Sequence, residues 1–371
     1  MTLSELRKQI DEIDDGILDL FLRRMACAER VAGAKRVQGL PVLNEARERE
    51  VLGAIVRRAG EYGGQAGILF SGLMAMSREA QHAALGSGKA LRETVARAGR
   101  GPLRPKTAAC LGLRGSYSHE ALGRLYPGAE PMFFPEFASV FSAVESGAAD
   151  LGVLPVENSS AGSVGEVYDL MLKHRFFISA AVSLSVRHCL ASRQSRPEDV
   201  RKVCSHPQAL SQCSEFLAKF GRPREKCSST AAAAALAARE DGTAVLCSEH
   251  AAAQYGLNVL ARGIQNSAAN RTRFVAVGRS LTIPPDAGKI SLCFSVPHRT
   301  GTLYAVLARF AAAGLNLTKI ESRPMPGKNF EYDFYLDFAG SVADAKTLDL
   351  LCALSEELPR FSFLGNYREA Q

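Results

Sequence analysis

The stretch VLPVENSSAGSVGEVYDLML, residues 153–172, decides the fold class of the central part of the chain. It opens with four residues typical of a strand, turns through the polar residues 157–162, and resumes with apolar residues at helical spacing. This order predicts a strand, a polar loop and a helix. In an open α/β sheet, ligands bind beyond the carboxyl ends of strands, and a helix N-terminus favours an anion. Glu157 and Asn158 therefore lie where a site is expected, unless Ser159 and Ser160 only cap the helix and Glu157 is a solvated loop acid.

The composition narrows the range of functions. At 371 residues and 47% apolar content, the chain is long enough for two or three domains. The formal net charge of +7 suits either nucleic acid or a small acidic substrate. Because no long run of Lys and Arg interleaved with aromatic residues occurs, a small anion is favoured and nucleic acid is not expected as a partner.

Cysteine usage and the apolar runs bear on the compartment. The nine cysteines form no CxxC pair and lie mostly within apolar stretches, which is typical of a reducing compartment without disulfides or a zinc site. The N-terminal MTLSELRKQID lacks the pattern of a secretory signal, and no apolar run reaches about eighteen residues. The sequence predicts a cytoplasmic protein with no membrane span.

Residues 2–37 have the spacing of one long helix. Its apolar residues recur at Leu6, Ile10, Ile13, Ile17, Leu20, Cys27 and Val31. At 1.5 Å per residue such a helix is about 50 Å long, which exceeds a small domain. A partner subunit is therefore expected to pack along it.

Polar residues interrupt the apolar face of this helix and of two further predicted helices, one from about Asn44 and one over residues 68–85. The inward-facing polar residues are Arg7, Arg24, Lys35, Arg47, Glu48, Ser77 and Gln81. Buried cations need anionic partners, and the helices offer too few acids, unless the cations snorkel to the surface. The set predicts a pocket for a doubly charged anion inside a helical bundle.

The segments LRKQID, RRM, AGAKR, NEARERE and S-x-x-x-Q, in this order, resemble the all-helical three-helix chorismate mutase domain, here residues 1–85. The resemblance implies that Lys35 and Gln81 are catalytic and face the breaking ether oxygen of chorismate. It implies the substrate-binding residues Arg7, Arg24, Asn44, Arg47, Glu48 and Ser77, with Asn44 standing where the family usually has Asp. Because the family shares the long helix across a dimer, Arg7 would serve the partner's site. The Claisen rearrangement needs a folded substrate and charge stabilisation rather than a nucleophile.

Residues 86–106 begin with glycines and end in prolines and basic residues, which predicts a linker, with a short helical continuation before its far end as the open alternative. After it, TAACLGLRGSYSHEAL predicts a second strand, loop and helix. Three more polar stretches follow, namely SHPQ at 205–208, SSTAAAA at 228–234 and NRTRF at 270–274. Each also has an ordinary interpretation, with His206 a helix cap, Ser229 or Thr230 the cap of an alanine-rich helix, and Thr272 a strand residue.

The stretches GSYSH, PVENSSAG, SHPQ, SSTAAAA and TRF occur in the order of the prephenate dehydratase family, and the resemblance covers residues 105–283. It implies two α/β lobes with the site in the cleft between them. Thr272 would be the proton donor. The substrate-binding residues would be Ser116, Glu157, Asn158, Ser205, His206, Gln208, Thr230 and Arg273. The two-lobed layout is similar to bacterial solute-binding proteins, so a binding module without chemistry is the alternative.

Residues 289–371 predict a small α+β ferredoxin-like domain, because strand, helix, strand, strand, helix and strand follow one another. The segments GTLY, GLNLTKIESRP and YDFYLDF resemble an ACT regulatory domain of the phenylalanine-binding kind. The effector-binding residues implied are Gly301, Leu303, Asn316, Glu321, Ser322 and Arg323. A plain dimerisation domain is the alternative.

The chain is thus expected to be a multidomain bifunctional enzyme that converts chorismate to prephenate and prephenate to phenylpyruvate, with feedback by L-phenylalanine. We expect no metal or organic cofactor, and a homodimer or higher homo-oligomer. The alternatives are a prephenate or arogenate dehydratase whose helical domain only dimerises, and a ligand-binding regulator without activity.

Overall fold

The computed structural model describes residues 2–325, 327–328 and 330–370, and the chain divides into two compact units. The first unit contains Met1–Arg97 and Ile290–Phe363, and the second contains Ala98–Lys289 and Leu364–Gln371. The N-terminal helices and most of the C-terminal fold therefore belong to one unit, although some 190 residues of sequence separate them. Within the described residues no helix is long and apolar enough to cross a membrane.

The first unit begins with four α-helices. They are α1 (Leu3–Gln38), α2 (Glu45–Arg58), α3 (Gly63–Leu85) and α4 (Lys89–Ala96), with a short 3₁₀ turn at Gly60–Tyr62. A capping box starts α1, because the Thr2 side chain accepts from the Glu5 backbone N–H while the Glu5 carboxylate accepts from the Thr2 backbone N–H. The helix ends where Gly39 adopts a left-handed conformation. The predicted long helix is confirmed.

The two halves of α1 differ in burial. Ala28 and Ala32 in the second half are buried, and α1 packs against α3. In the first half Ile10, Ile13 and Ile17 are each more than half exposed. An apolar stripe at helical spacing is therefore open to solvent in the single chain.

The third helix begins earlier than its sequence predicts, at Gly63 rather than near residue 68. From the sequence, the glycine-rich stretch after Tyr62 is expected to precede the helix. In the structure it forms the first turns of α3. A Cβ placed on Gly63 would lie 2.7 Å from the Val56 backbone oxygen, so only glycine permits this approach of α3 to α2. The glycines here serve packing rather than termination.

The second unit alternates strands and helices in two lobes. Its elements up to the lobe change are β1 (Thr107–Leu111), α5 (Tyr117–Leu125), β2 (Glu130–Phe134), α6 (Phe137–Ser146), β3 (Leu151–Asn158), β4 (Gly162–Ser163), α7 (Gly165–His174) and β5 (Phe177–Ser185). The next are β6 (Cys189–Ser192), a 3₁₀ turn at Pro197–Asp199, β7 (Lys202–Ser205), α8 (Pro207–Gln212), α9 (Ser214–Phe220), β8 (Arg224–Lys226), α10 (Thr230–Ala237), β9 (Thr243–Cys247), α11 (Glu249–Gln254), β10 (Asn258–Ala261) and β11 (Arg271–Gly278).

Each lobe of the second unit is built on its own sheet. The first sheet contains the strand order β5-β11-β3-β1-β2, with β4 beside β3, and residues 368–370 pair parallel with the other side of β5. The second has the order β10-β6-β9-β7-β8. Because β11 returns from the second lobe to pair antiparallel with both β3 and β5, the chain crosses between the lobes twice. The predicted two-lobed α/β architecture is confirmed.

The stretch at residues 153–172 differs from its prediction in two respects. Glu157 and Asn158 are not loop residues but the last residues of β3, because β11 and β4 extend the hydrogen-bonded ladder to them. Ser159 and Ser160 do not cap α7. The helix begins after Val164 without a side-chain cap.

The C-terminal fold has the order β12 (Lys289–Ser295), α12 (Thr302–Ala312), β13 (Leu317–Pro324), β14 (Tyr332–Ala339), α13 (Ala345–Glu357) and β15 (Arg360–Ala370). Its sheet has the order β13-β14-β12, with β15 next to β12. This is the predicted ferredoxin-like arrangement. Within the first unit, α12 and α13 pack against α3.

Candidate active sites

The helices α1, α2 and α3 enclose a cavity of about 220 Å³. Seven of the eight residues assigned to the helical site from the sequence line it. The lining consists of Arg24, Lys35, Val42, Asn44, Arg47, Glu48, Val51, Met74, Ser77, Arg78 and Gln81. Four of these side chains are cationic and one is a carboxylate, so the cavity suits a small dianion.

Two cations are held at the cavity by backbone carbonyl groups. Arg24 Nη1 donates to the Leu73 carbonyl oxygen at 2.7 Å and also to the Ser77 hydroxyl. The Lys35 ammonium donates to the Val42 carbonyl. Burial lowers the pKa of both side chains, and the charge of Glu48 opposes that effect. Neither cation has a carboxylate among these hydrogen-bond partners, so both could pair with an anionic ligand in the cavity.

Gln81 and Asn44 contribute in different ways. Gln81 is buried, and its Nε2 donates to the Ser77 carbonyl at 3.2 Å, while its Oε1 has no hydrogen-bond partner among the described residues. A buried amide oxygen without a partner is costly, so a ligand group in the cavity would relieve it. Asn44 caps α2 by accepting from the Arg47 backbone N–H at 3.0 Å.

Arg7 does not reach this cavity. It is exposed and lies seventeen positions before Arg24 on the same straight helix, which corresponds to about 25 Å along the axis. The structure therefore separates it from the other seven residues.

Arg78 is a site residue that the sequence analysis missed. Its Nη1 lies 2.6 Å from both carboxylate oxygens of Glu48, and the guanidinium is largely buried. Arg78 follows Ser77 and lies three positions before Gln81, so its place at the edge of the inward face could have been read from the helical spacing.

In the second unit, Asn158 at the end of β3 and Thr272 near the start of β11 are directly opposite each other. Asn158 Nδ2 donates to Thr272 Oγ1 at 2.8 Å and to Asn270 Oδ1 at 2.8 Å. Asn158 Oδ1 accepts from the backbone N–H groups of Ser160 and Ala161. Because these N–H groups fix the oxygen end of the amide, the nitrogen end faces Thr272.

Asn270 is a second residue that the sequence analysis did not single out, although it stands two positions before Thr272. It is buried, and it accepts from Asn158. The polar end of β3 and the start of β11 thus form one connected hydrogen-bond cluster.

Arg273 follows Thr272 on β11, so its side chain leaves the opposite face of the strand. It is buried, and it lies directly opposite Glu157. Its Nε lies 2.9 Å from Glu369 Oε1, and its guanidinium donates to the Tyr367 hydroxyl. Both partners belong to the last strand of the chain. Nothing in the sequence near Arg273 could have indicated them.

The remaining residues assigned to the dehydratase site sit at strand-to-helix junctions. Ser116 caps α5, accepting from the His119 backbone N–H, and His206 caps α8, accepting from the Gln208 backbone N–H through Nδ1. Ser205 ends β7 and is fully buried, and its hydroxyl donates to the Leu246 carbonyl at 2.7 Å. Thr230 is the first residue of α10, whose cap is Ser229.

The two lobes meet at the glycine loop that precedes α5. Gly115 has a φ of 81°, in the left-handed region, and a Cβ there would lie 3.1 Å from Ala251 Cα of the other lobe. His119 Nδ1 accepts from the Gly115 N–H, and His250 Nε2 lies 3.1 Å from His119 Nδ1. Burial lowers the pKa of both histidines.

A cavity of about 350 Å³ also lies between the lobes, lined by residues outside the predicted set. These are Tyr117, Glu120, Arg124, Ser183, Ser185, Arg187, Ser248, Glu249, His250 and Arg271. Arg271 begins the strand that carries Thr272.

In the C-terminal fold, a cavity of about 240 Å³ lies at the start of α12. Gly301 and Leu303 line it, together with the aromatic residues Tyr304, Phe330, Tyr332 and Phe334. The other predicted effector residues lie elsewhere. Asn316 precedes β13, and Glu321, Ser322 and Arg323 lie on that strand, which is at the edge of its sheet.

A cationic helical cavity and a two-lobed α/β unit with a half-buried polar cluster are the features of a multidomain enzyme with two separate sites. Comparisons with known proteins give the particular family. The chorismate mutase type II family matches residues 6–82, and the prephenate dehydratase family matches residues 108–281.

Two relatives differ in how much of the chain they match. The bifunctional chorismate mutase/prephenate dehydratase of Aquifex aeolicus (strain VF5) is 34% identical over 375 residues, covering 99% of this chain and 98% of that protein. Arogenate dehydratase/prephenate dehydratase 2, chloroplastic, of Arabidopsis thaliana is 43% identical over 270 residues, covering 69% of this chain and 71% of that protein.

Two solved structures are similar to the chain over 71% of its length. A prephenate dehydratase from Arthrobacter aurescens, in complex with L-Phe, is 30% identical with a TM-score of 0.64, and 89% of it is covered. GqqA, described as a novel type of quorum quenching acylase, is also 30% identical, with a TM-score of 0.66 and 98% coverage.

Because the Aquifex match extends over both the helical region and the α/β unit, the chain belongs to the bifunctional chorismate mutase/prephenate dehydratase family. It is an enzyme of aromatic amino acid biosynthesis with both activities.

Proposed function

We propose that the cavity enclosed by α1, α2 and α3 is the chorismate mutase site and that the Asn158–Thr272 cluster is the centre of the prephenate dehydratase site. The observation that carries the first assignment is the convergence of seven of the residues named from the sequence on one cationic cavity. The domains we propose are a helical mutase domain at 1–85, a linker at 86–106, a dehydratase domain at 105–283 and a regulatory domain at 289–371.

At the mutase site the residues bind and orient, and they stabilise charge. Arg24 and Arg47 would pair with the two carboxylates of chorismate, using the bidentate geometry that a guanidinium offers. Lys35 would face the ether oxygen, where negative charge grows as the C–O bond breaks. Asn44, Glu48 and Ser77 would complete the substrate contacts, and Arg7 would enter from the partner subunit.

Gln81 would be the second group at the ether oxygen. Its amide nitrogen donates to the Ser77 carbonyl, and its oxygen is the end without a partner. The amide nitrogen carries two N–H groups, so one can stay on the Ser77 carbonyl while the other would face the ether oxygen.

At the dehydratase site Thr272 would donate its proton to the ring hydroxyl of prephenate, which leaves as water. The electron pair of the breaking bond to the ring carboxylate moves into the ring, and carbon dioxide and phenylpyruvate result. The Asn158 N–H at 2.8 Å stabilises the negative charge that grows on the Thr272 oxygen as its proton leaves. This contact supplies an activation for threonine, which is otherwise a weak acid.

The other dehydratase residues would bind the substrate or position the groups that bind it. We propose Ser116, Glu157, Ser205, His206, Gln208, Thr230 and Arg273 as this set. Ser205 would act through the junction between β7 and α8, because its hydroxyl is engaged with the Leu246 carbonyl. Arg273 would act from a position fixed by Glu369.

A second dehydratase substrate is favoured by one comparison. The Arabidopsis relative is named an arogenate dehydratase/prephenate dehydratase and is 43% identical over 270 residues. We propose that this chain also accepts arogenate, which differs from prephenate by an amino group in place of the side-chain keto group. Purified enzyme would then form phenylalanine from arogenate. A rate below about one hundredth of that with prephenate would exclude a useful second activity.

We propose L-phenylalanine as the effector of the C-terminal fold, through Gly301, Leu303, Asn316, Glu321, Ser322 and Arg323. The Arthrobacter relative in complex with L-Phe supports this, as does the aromatic lining of the cavity at the start of α12. We also propose a homodimer or higher homo-oligomer, supported by the exposed Ile10, Ile13 and Ile17 on α1. A cytoplasmic location is the compartment that the cysteine usage of the sequence supports, since no CxxC pair occurs among the nine cysteines.

The experiment that tests this proposal follows both reactions on the full-length chain. Chorismate loss is measured by absorbance, and phenylpyruvate formation is measured from added prephenate. Each is repeated with phenylalanine and with tyrosine as the matched control. Both activities, with inhibition by phenylalanine alone, would support the proposal. Phenylpyruvate formation without chorismate loss would make the helical cavity an assembly device and refute the mutase assignment.

A further inference from the structure

Arg78 connects the mutase cavity to the C-terminal fold through buried ion pairs. Its Nη1 lies 2.6 Å from both oxygens of Glu48 in the cavity. Its Nε lies 3.1 Å from Glu357 Oε2, at the end of α13. One guanidinium therefore holds two carboxylates, one from each end of the chain, and all of these residues belong to the same compact unit.

Glu357 is the centre of this cluster. Only 6% of its side chain is exposed, and Arg309 Nη1 and His82 Nε2 lie 2.9 Å and 3.0 Å from its oxygens. Arg309 is itself buried and pairs with Glu79 on α3 at 2.6 Å. The Glu357 carboxylate is thus surrounded by groups from α3 and α12. One of them, the Arg78 guanidinium, also contacts Glu48.

The geometry limits how Arg78 can move. A guanidinium is planar and presents its donors in a fixed fork, so binding Glu357 through Nε sets the direction in which Nη1 points. Nη1 then points towards Glu48 and contacts both of its carboxylate oxygens. If Glu357 lost its charge, Arg78 would be free to rotate away or to follow Glu48.

We propose that Arg78 is a positioning residue for the mutase reaction and that Glu357 of the C-terminal fold fixes it, so that the mutase site is complete only when α13 is docked on α3. This rests on the proposed role of Glu48 as a substrate-binding residue. It assigns the C-terminal fold a part in the isomerase reaction, exerted through Arg78 and Glu48, in addition to any effector it binds.

The test uses the full-length chain with Glu357→Gln, which keeps the shape of the side chain and removes its charge. Glu79→Gln is the matched control, because it breaks an ion pair of the same contact region with Arg309 and does not touch Arg78. Glu357→Gln is expected to lower mutase kcat/KM by about 10- to 100-fold through misplacement of Glu48. Glu79→Gln is expected to change it by less than about threefold, and dehydratase activity should be unchanged in both.

A double-mutant cycle separates positioning from general stability. If Glu357 acts through Glu48, then Glu357→Gln should cost less than about twofold once Glu48→Gln is present. A purely structural role would give the same loss of mutase kcat/KM in the parent enzyme and in the Glu48→Gln enzyme, and that result would overturn the proposal. Equal losses of mutase kcat/KM for Glu357→Gln and Glu79→Gln would also overturn it. A Glu48→Gln enzyme with full mutase activity would instead refute the proposed role of Glu48, and with it any effect transmitted to it.

Arg78→Lys covers the case in which Glu357→Gln does not fold. It keeps the charge, but an ammonium lacks the fork needed to hold both carboxylates in fixed directions. It should lower mutase kcat/KM by about 10-fold or more while dehydratase activity stays intact. Full mutase activity in this variant would also contradict the proposal.

Discussion

Replacement of Asn158 by alanine should slow the dehydratase reaction without affecting the mutase reaction. In the structure Asn158 Nδ2 is 2.8 Å from Thr272 Oγ1, and that oxygen gains negative charge when the proposed proton transfer occurs. A hydrogen bond to a charged group contributes about 1.5–3 kcal/mol. At about 1.4 kcal/mol per factor of ten, loss of the contact should lower kcat by about 10- to 150-fold.

Alanine also removes the contacts that Asn158 makes to Ser160, Ala161 and Asn270, so a second variant isolates the donor. In Asn158→Asp one oxygen can still accept from the two backbone N–H groups, and the other faces Thr272 as an acceptor rather than a donor. This variant should be at least as slow as alanine. Asn258→Ala is the control, because Asn258 Nδ2 donates to two backbone carbonyls away from Thr272.

The assay is phenylpyruvate formation from saturating prephenate, with chorismate loss measured on the same preparation as an internal reference for folded enzyme. The expected result is a fall in dehydratase kcat for both Asn158 variants and none for Asn258→Ala. If Asn158→Ala and Asn158→Asp both keep kcat within about twofold of the parent, the role assigned to this hydrogen bond is refuted.

Three further predictions concern the first unit. Arg24→Lys should lower mutase kcat/KM by about 100-fold in a chorismate assay, because an ammonium cannot bind a carboxylate bidentately; unchanged activity would contradict the assignment. When Arg7→Ala and Arg24→Ala subunits are denatured, mixed and refolded together, about a quarter of the mutase sites should be active if Arg7 serves the partner's site. If no mutase activity returns, the shared site is contradicted. Burial alone raises the pKa of Glu357, but the hydrogen bond from His82 and the charges of Arg309 and Arg78 outweigh it and lower the pKa from 4.5 to about 2. This lowered pKa corresponds to about 3 kcal/mol of stabilisation of the folded state, fully present above about pH 4.5 and lost as the pH falls towards 2. The free energy of urea unfolding should therefore depend less on acid pH in Glu357→Gln than in the parent enzyme.

The helical site could be predicted from the sequence because its spacing is local. Ser77 and Gln81 are one turn apart on α3, and both are buried on the face that the periodicity indicated. The start of the same helix was predicted wrongly, because Gly63 fits closely against Val56 rather than ending the helix. A glycine used for packing and a glycine used as a stop have the same local signature.

Contacts between distant residues could not be predicted in this way. The helical spacing could place Arg78 at the edge of the inward face of α3, but it could not indicate its partner Glu357, which lies 279 positions later. Asn158 belongs to a strand rather than a loop because β4 and β11 pair with it, and β11 follows more than a hundred residues later. In both cases the physical cause is a tertiary partner that the neighbouring sequence does not specify.

The central claim is that one chain carries two independent sites. Arg24→Ala and Thr272→Ala in the full-length enzyme test it most directly, each measured for chorismate loss and for phenylpyruvate formation from added prephenate. Arg24→Ala should lose chorismate consumption and keep phenylpyruvate formation, and Thr272→Ala should do the reverse. Loss of both activities in either variant, with the protein folded, or of neither activity in Thr272→Ala, would contradict the account.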